Sequence, residues 1–400
     1  MAISRRSFLG VPVAAAVAGM QRRPPTSLIP EGATDTTRVP GSPASGNSGR
    51  AAQVDLSREA SGGISTTPLQ ALDGTITPSD LHYEVHRMGV PAIDPAAYRL
   101  LIHGMVERPR VLTLDDVRSL PSVTRVCFLE CGGNYPRNAK GVVTPQAMAG
   151  LTSQSEWTGV PLRVLFNEVG LQTGASWFLG EGQDAVAMTR SAPIAKAIAH
   201  GMLAYAQNGE PLRPAHGYPV RLLLPGWEGV ASVKWLRRIK VGADPFMTRE
   251  ETSRYTEETA DGTIRQYSFE IDARSIITSP APPLTMRHGC VEIRGLAWSG
   301  RGRITRVEVS VDDGGTWRDA ALDGPVLPLA HVRFRLPWKW DGGAATLMSR
   351  AVDDTGYVQP TVAQLLAARG ASSPSYHLNP IVGWVVAPDG AITVKEEPWR

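Results

Sequence analysis

Cysteine is scarce in this sequence of 400 residues, which contains Cys127, Cys131 and Cys290 and no others. Three cysteines are too few for a disulfide framework. Basic residues form no stripe after the first 25 positions, and the formal net charge is only +3. Composition therefore gives no support for nucleic-acid binding, and we expect no nucleic-acid partner.

Signatures of several common cofactors are absent as well. The sequence has no Cys-x-x-Cys-His, so no c-type haem is attached to this chain. No phosphate-binding loop or Gly-x-Gly-x-x-Gly follows a predicted strand, and no His-Glu-x-x-His indicates a zinc hydrolase. His82 and His86 are four residues apart, but their segment is predicted to be extended, which disfavours a metal site built on that pair.

The first residues carry the pattern of an export signal. Arg5 and Arg6 stand directly before "SFLG" and an apolar stretch that continues to Met20. The stretch is too short to span a bilayer, and we expect no membrane span in the mature chain. The arginine pair resembles the twin-arginine motif, so residues 1–30 are predicted to direct a folded protein to the periplasm. Export in the folded state is typical of proteins that acquire a cofactor in the cytoplasm.

The remaining sequence divides into regions that differ in composition and in apolar patterning. Residues 31–79 are rich in Pro, Gly, Ser and Thr, which predicts a flexible linker. Short strands mixed with short helices predict an α+β domain over 80–250, and 251–284 is predicted to connect and to contribute to the active site. Alternating runs separated by Gly and Asp turns predict an immunoglobulin-like β-sandwich over 285–395.

Three local elements are clear from the residues alone. Thr113 precedes "LDDVRSL" and is predicted to cap a helix. The run "VTRVCFLE" at 123–130 predicts a buried strand that ends at a Cys-Gly-Gly-Asn turn. The run "PLRVLFNEVGL" predicts an amphipathic helix.

The two neighbouring cysteines, Cys127 and Cys131, fall on that strand. Four residues of extended chain separate their Cα atoms by roughly 13 Å, at about 3.3 Å per residue. A disulfide needs less than about 7 Å, so no bridge is expected. Cys127 is predicted to be a buried apolar residue. Cys131 stands where the strand breaks and is a candidate nucleophile or soft-metal ligand, although a satisfied loop cysteine fits the local pattern equally well.

Longer segments carry a family resemblance. "FLECGGN" (128–134) and "NGEPLRPAHGYPVRLLLPGWEGVASVKWLRRIKV" (208–241) resemble the sulfite oxidase family of molybdenum enzymes. "GLAWSGRGRITRVEVSVDDGGTW" (295–317) is similar to the dimerisation domain of that family. The resemblance covers about 80–395, and "LHYEVHRMGVPAID", "AMTRSAPI" and "YHLNPIVGW" are most similar to the molybdenum subunits of sulfane dehydrogenases.

The resemblance implies a site residue by residue. Cys131 matches the thiolate ligand of molybdenum, which is also bound by molybdopterin. The positions that match molybdopterin-binding residues are His86, Asp184, His216, Arg221, Ser232, Val233 and Lys234. Among these, the side chains of His216, Arg221 and Lys234 suit an anionic phosphate group.

The sequence also departs from the family pattern. Val85 and Ala231 occupy positions where sulfite oxidases carry arginines that help to bind the anionic substrate. Arg87 and Arg190 are candidates for the missing charge. The loss argues against free sulfite and favours sulfane sulfur bound to a carrier protein.

An active-site tyrosine is expected between residues 250 and 270. We predict Tyr267 for this role in preference to Tyr255.

The implied reaction is oxygen-atom transfer to a nucleophilic sulfur, with two electrons taken up by the molybdenum. Since the chain has no haem motif, the resemblance predicts a separate c-type cytochrome subunit as electron acceptor, and a homodimer or heterotetramer. Three alternatives stay open: a sulfite dehydrogenase, a methionine-sulfoxide reductase, which the added β-domain disfavours, and a secreted binding protein with an eroded, cofactor-free site.

Overall fold

A computed structural model describes residues 63–135, 142–253, 255–259, 261–267, 269–370 and 376–397. The predicted export signal with Arg5 and Arg6, and the linker up to residue 62, lie outside the described residues. Within the part that is described, no helix has the length and apolar character needed to cross a membrane.

The first domain is built from short strands and short helices. Its strands are β1 Gly63–Ser65, β2 Glu84–His86, β3 Leu100–Gly104, β4 Arg110–Leu112, β5 Val123–Glu130, β6 Thr152–Pro161, β7 Trp177–Gly182, β8 Thr189–Pro193, β9 Met202–Gln207, β10 Glu210–Pro211, β11 Arg221–Leu223 and β12 Leu236–Gly242. Its helices are α1 Leu114–Ser119, α2 Pro145–Ala149, α3 Leu162–Val169 and α4 Ile194–His200, with 3-10 turns at Leu69–Ala71, Pro214–His216 and Gly229–Ala231.

Two five-stranded sheets form the body of this domain. One has the order β10-β9-β6-β5, with β11 also paired to β9, and the other has the order β4-β3-β12-β7-β8. Apolar side chains from both sheets and from α3 form one core, which includes Leu100, Phe166, Phe178, Leu222 and Ile239. The separate ribbon β1-β2 lies at the side, with Ile64 opposite Val85.

The local sequence predictions agree with this structure. Thr113 caps α1 through a capping box, in which its side chain accepts from the amide of Asp116 while the Asp116 carboxylate accepts from the amide of Thr113. The predicted strand at 123–130 is β5, and Cys127 is completely buried on it. The predicted amphipathic helix is α3, which buries Leu162, Leu165, Phe166 and Val169.

The prediction that residues 31–79 form a flexible linker is wrong for residues 63–79. The amide of Thr67 donates to the carbonyl of Gly150 at 2.7 Å, and the amide of Thr77 donates to the carbonyl of Gln154 at 2.7 Å. Leu69 is 1% exposed and belongs to the core of the second domain. Polar bonds to distant backbone hold most of this segment, so it has no apolar periodicity that reveals its order.

The second domain is a β-sandwich. Its strands are β15 Arg274–Ser279, β16 Gly289–Trp298, β17 Ile304–Ser310, β18 Arg318–Asp319, β19 Ala321–Asp323, β20 Val332–Trp340, β21 Ala345–Asp353, β22 Gly383–Val386 and β23 Ile392–Val394. A sheet of order β15-β16-β20-β19 packs on a sheet of order β18-β17-β21-β22-β23, around Trp298, Phe334 and Trp384. Helix α6, Val362–Arg369, lies between β21 and β22.

The predicted fold, an α+β domain followed by an immunoglobulin-like β-sandwich, is confirmed. The sandwich begins earlier than the sequence texture indicated, because β15 pairs with β16 and lies inside the predicted connecting segment 251–284. The rest of the connection holds α5, Arg249–Ser253, and the hairpin of β13, Thr256–Glu258, and β14, Ile264–Gln266. This connection passes beside the end of β5.

Candidate active site

A pocket with about 790 Å³ of empty space, including its mouth, opens at the end of β5. Cys131 lines it, directly after the last residue of the strand. The amide of Cys131 donates to the carbonyl of Leu151 at 2.9 Å, and its carbonyl accepts from the amide of Asn134 at 3.0 Å. Both backbone bonds fix the turn, and the Cys131 side chain lines the pocket. Cys127, by contrast, is buried in the strand with no exposure.

The pocket brings together residues that lie far apart in the chain. Among the residues predicted from the sequence, it is lined by His86, Arg87, Cys131, Asp184, His216, Arg221, Ser232, Val233 and Lys234. They come from the end of β2, the turn after β5, the loop after β7, and the stretch between β10 and β12. The fold therefore assembles one concave site from four separate segments, as is usual for sites that hold a small molecule.

Two cations, the buried Arg221 and the half-buried Lys234, dominate one side of the pocket. The guanidinium of Arg221 donates to the carbonyls of His216 and Ser232 at 3.0 and 2.9 Å, and stacks over the ring of Trp157. Burial lowers the pKa of Arg221 to about 10. The ammonium of Lys234 donates to the carbonyls of Val85 and Ala215 at 2.9 and 3.0 Å, and burial with the nearby charge of Arg221 lowers the pKa of Lys234 to about 7.

Two of the three histidines that line the pocket, His86 and His216, face the carboxylate of Glu84. Nε2 of His216 lies 3.7 Å from one carboxylate oxygen of Glu84, and Nε2 of His86 lies 3.5 Å from the other. Nδ1 of His216 is 2.9 Å from the side-chain oxygen of Gln207. Burial lowers the pKa of His216 to about 4, so this imidazole is neutral near pH 7 and can donate or accept one hydrogen bond at each nitrogen.

The remaining predicted binding residues shape the backbone around the pocket. Asp184 accepts from the amide of Met188 at 2.9 Å and closes the turn after β7. The Ser232 hydroxyl accepts from the amide of Leu224 at 3.0 Å. The carbonyl of Val233 accepts from the amide of Leu222 at 2.8 Å. These bonds hold the chain that carries Arg221 and Lys234 in one conformation.

The donor set fits an anionic cofactor such as molybdopterin. Within the described ranges, neither Arg221 nor Lys234 forms an ion pair with a carboxylate, and Nε of Arg221 and Nδ1 of His86 are buried without a hydrogen-bond partner. Buried charges and buried donors without partners cost free energy unless a ligand satisfies them. A phosphate-bearing molecule would supply acceptor oxygens and negative charge to these donors.

Neither arginine proposed to replace the missing charge is unpaired. Arg87 lines the pocket, but its guanidinium donates to the carboxylate of Glu250 at 2.6 Å. Arg190 is 1% exposed and is not among the residues that line the pocket. It contacts two carboxylates, Glu228 at 2.5 Å and Glu251 at 3.0 Å. The structure therefore does not support Arg190 as a group that touches a substrate here.

The tyrosine prediction needs correction. Tyr267 lies away from the pocket, where its hydroxyl donates to the sulfur of Met247 at 2.9 Å and its ring packs near Trp177. Tyr255 lines the pocket instead. The hairpin β13-β14 separates the two tyrosines, so only one end of it reaches Cys131. Burial, followed by the charge of Cys131, raises the pKa of the Tyr255 hydroxyl, which keeps it protonated.

Sequence reasoning missed several further lining residues: His82, Tyr83, Leu129, Met188, Ala215, Gly229, Val230 and Trp235. Tyr83 and Val85 alternate along the extended segment that includes β2, which is the signal that both face the same side. Glu84, which faces the two histidines, was likewise not predicted.

Two family models match the chain. Residues 87–250 match the oxidoreductase molybdopterin-binding domain, and residues 265–383 match the Mo-co oxidoreductase dimerisation domain. The first range contains the described pocket residues from Arg87 to Lys234, and the second contains most of the β-sandwich. Fold and pocket thus define a molybdopterin-binding oxidoreductase class.

Similarity to known proteins identifies the family within this class. Mitochondrial sulfite oxidase of Rattus norvegicus is 32% identical over 333 residues, which cover 76% of this chain and 60% of the relative. Sulfite oxidase of Gallus gallus is 31% identical over 332 residues, covering 76% of this chain and 72% of the relative. The chain belongs to the sulfite oxidase family, and it spans about 60% of the length of the rat protein.

A solved structure is similar over almost the whole chain. The crystal structure of the sulfane dehydrogenase SoxCD from Paracoccus pantotrophus matches with a TM-score of 0.81 and 40% sequence identity, covering 98% of this chain and 96% of the matched chain.

Proposed function

We propose that this chain is the molybdenum subunit of a periplasmic sulfane dehydrogenase, which oxidises sulfane sulfur on a carrier protein and passes the electrons to a c-type cytochrome subunit. Each step would add one oxygen atom from water to the sulfur and release two electrons and two protons. The 40% identity to a SoxCD chain supports this assignment over the sulfite oxidases, which are 31–33% identical.

The charge balance of the substrate side is the observation that carries the proposal. Val85 lines the pocket and the fully buried Ala231 lies in the turn beside it, and the family resemblance matches both positions to arginines of sulfite oxidases. The two nearest candidate replacements, Arg87 and Arg190, are neutralised by carboxylates. A dianion such as sulfite finds little uncompensated positive charge on this side. A sulfane sulfur held on a carrier cysteine carries less negative charge and needs less positive charge in the pocket.

Molybdenum bound by molybdopterin supplies oxygen-atom transfer and two-electron redox chemistry when it is present. The Cys131 sulfur would be the protein ligand of the metal, since a soft donor facing the pocket suits it. His216, Arg221 and Lys234 would hold the anionic end of the pterin. Tyr255 would donate a hydrogen bond at the reacting sulfur, from a hydroxyl that burial keeps protonated.

A matched substrate pair tests the proposal. The protein is produced in a host that has the twin-arginine export system, and its molybdenum content is measured. Cytochrome c reduction is then followed in the presence of the proposed cytochrome subunit, with a carrier-bound persulfide and with sulfite as substrates. We expect stoichiometric molybdenum and faster turnover of the persulfide. Preference for sulfite would instead support a sulfite dehydrogenase, and protein without molybdenum would contradict both enzymes.

The corrected tyrosine gives a first prediction. Tyr255→Phe keeps the ring, which stacks on Tyr376 at 4.6 Å, but removes the hydroxyl from the pocket. Losing one hydrogen bond to a charged group costs about 1.5–3 kcal/mol, so we expect kcat/KM for the persulfide to fall about 10- to 100-fold. Tyr267→Phe is the matched control and should retain wild-type turnover. Equal losses in both variants would contradict the placement of Tyr255 at the site.

A further inference from the structure

A segment that follows the β-sandwich helix α6 returns to the turn that carries Cys131. The backbone amide of His377 donates to the carbonyl of Gly132 at 2.7 Å. The ring of the preceding residue, Tyr376, packs against the same glycine, where an added Cβ would lie 3.6 Å from Cδ1 of Tyr376 and 3.2 Å from a carboxylate oxygen of Glu228. The turn next to Cys131 is therefore held by groups from the second domain.

The backbone of His377 supports a specific role. Its backbone φ of +56° lies in the left-handed region, which residues other than glycine adopt at a cost in free energy. Strain of this kind persists where surrounding contacts determine it, and it is found preferentially at functional sites. Here the contacts are the amide bond to Gly132 and the bond between Nε2 of His377 and Glu228 Oε2, which are 3.0 Å apart. Because a carboxylate only accepts, the imidazole donates.

Glu228 is the centre of this arrangement. Its carboxylate is 1% exposed, and its other oxygen accepts from the guanidinium of Arg190 at 2.5 Å. Its backbone forms an isolated bridge with Glu130, the residue before Cys131. A buried carboxylate, bonded to Arg190 and to His377, is thus fixed beside the turn that carries Cys131.

We propose that Glu228 and His377 are positioning residues for Cys131: His377 clamps the Gly132 turn through its amide and through Glu228, and the Glu228 carboxylate increases the electron-donating power of the cysteine ligand. This inference rests on the proposed role of Cys131 as metal ligand. Groups that orient a ligand and set its basicity typically change metal affinity or activity 10- to 100-fold when removed.

The proposal separates into two measurable effects. His377→Gly removes the imidazole and relieves the left-handed backbone, so any loss reports the bond to Glu228 rather than strain, while the backbone amide can still donate to Gly132. We expect faster hydrogen–deuterium exchange of residues 131–135 in the protein without cofactor, and kcat for the persulfide lower by about tenfold with KM little changed. His377→Gln keeps a donor at the position of Nε2 and should restore much of kcat. His288→Gln, at an exposed position of the sandwich, is the control.

The charge effect is tested by Glu228→Gln, which keeps the shape of the side chain. We expect a higher reduction potential of the bound molybdenum and a shifted visible absorption, because the ligand donates less electron density. Glu270→Gln, at an exposed carboxylate of the segment that connects the two domains, should leave both unchanged.

Unchanged exchange in His377→Gly together with an unchanged potential in Glu228→Gln would overturn the inference. Failure of the proposed function gives a different pattern. Wild-type protein that binds molybdenum but does not oxidise persulfide contradicts that function, while exchange and potential still decide the positioning roles. Protein that binds no molybdenum contradicts the ligand role of Cys131, and with it this inference.

Discussion

Replacing Cys131 with serine is expected to abolish persulfide oxidation and molybdenum retention while leaving the fold intact. The side chain faces the pocket, and the two backbone bonds of the residue, to Leu151 and from Asn134, do not depend on its sulfur. Serine has nearly the same shape, so we expect the free energy of unfolding to change by less than about 1 kcal/mol. Its hydroxyl is a hard donor that does not replace a thiolate at a thiophilic metal.

The other two cysteines provide controls of opposite kind. Cys290 is exposed on the sandwich, and Cys290→Ser should change neither activity nor stability. Cys127 has no exposure and lies in an apolar cluster with Trp157 and Leu223, so Cys127→Ser should lower stability and retain molybdenum. Metal analysis, turnover and denaturant unfolding of the three variants distinguish these outcomes. A Cys131→Ser protein with full molybdenum and activity would exclude Cys131 as the ligand.

Arg274→Met is expected to give the largest loss of stability. Arg274 begins β15 in the second domain and is 1% exposed, and it donates to the carboxylate of Glu130 at 2.9 Å. Glu130 also accepts from the indole of Trp298 at 2.5 Å and from Asn134 at 2.8 Å. Removing one partner of a buried ion pair leaves an uncompensated charge, so we expect the free energy of unfolding to fall by about 3–5 kcal/mol.

Two further variants identify the cause of that loss. Glu130→Gln combined with Arg274→Met removes both charges and should recover part of the stability, because no charge is then buried alone. Arg294→Met breaks an exposed ion pair in which the side chain of Arg294 is 50% exposed and that of Asp73 is 91% exposed. This variant should change the free energy of unfolding by less than about 1 kcal/mol. Denaturant unfolding measures all three. If the double variant were no more stable than Arg274→Met, lost packing would explain the effect better than the buried charge.

Much of the fold follows from local patterns, because the elements involved depend on neighbours in the sequence. The cap at Thr113 needs only Asp116 three residues away, and β5 is a strand whose second half, residues 127–130, is buried and which ends just before the Cys-Gly-Gly turn. The segment 63–79 could not be predicted in this way. Its order comes from bonds to Gly150 and Gln154, which a local pattern does not contain.

The site shows the same division between local and distant information. Motifs give the residue types that surround Cys131, and nine of the site residues predicted from the sequence line the pocket. The choice between Tyr255 and Tyr267 depends on the direction of one hairpin. The roles suggested for Arg87 and Arg190 depend on carboxylates that are 163 and 38 residues away. Charge type alone does not indicate whether a guanidinium is already neutralised.

The two domains are separate in the sequence, but buried hydrogen bonds and an ion pair join them in the interior. The carboxylate just before Cys131 is satisfied by a guanidinium and an indole of the sandwich, and the turn just after Cys131 is held by His377. The catalytic half is therefore not a self-sufficient module. A chimera that joins it to the second domain of a distant relative would have to carry Arg274, Trp298 and the 376–377 segment with it, so these two domains are expected to have been inherited and varied as one unit.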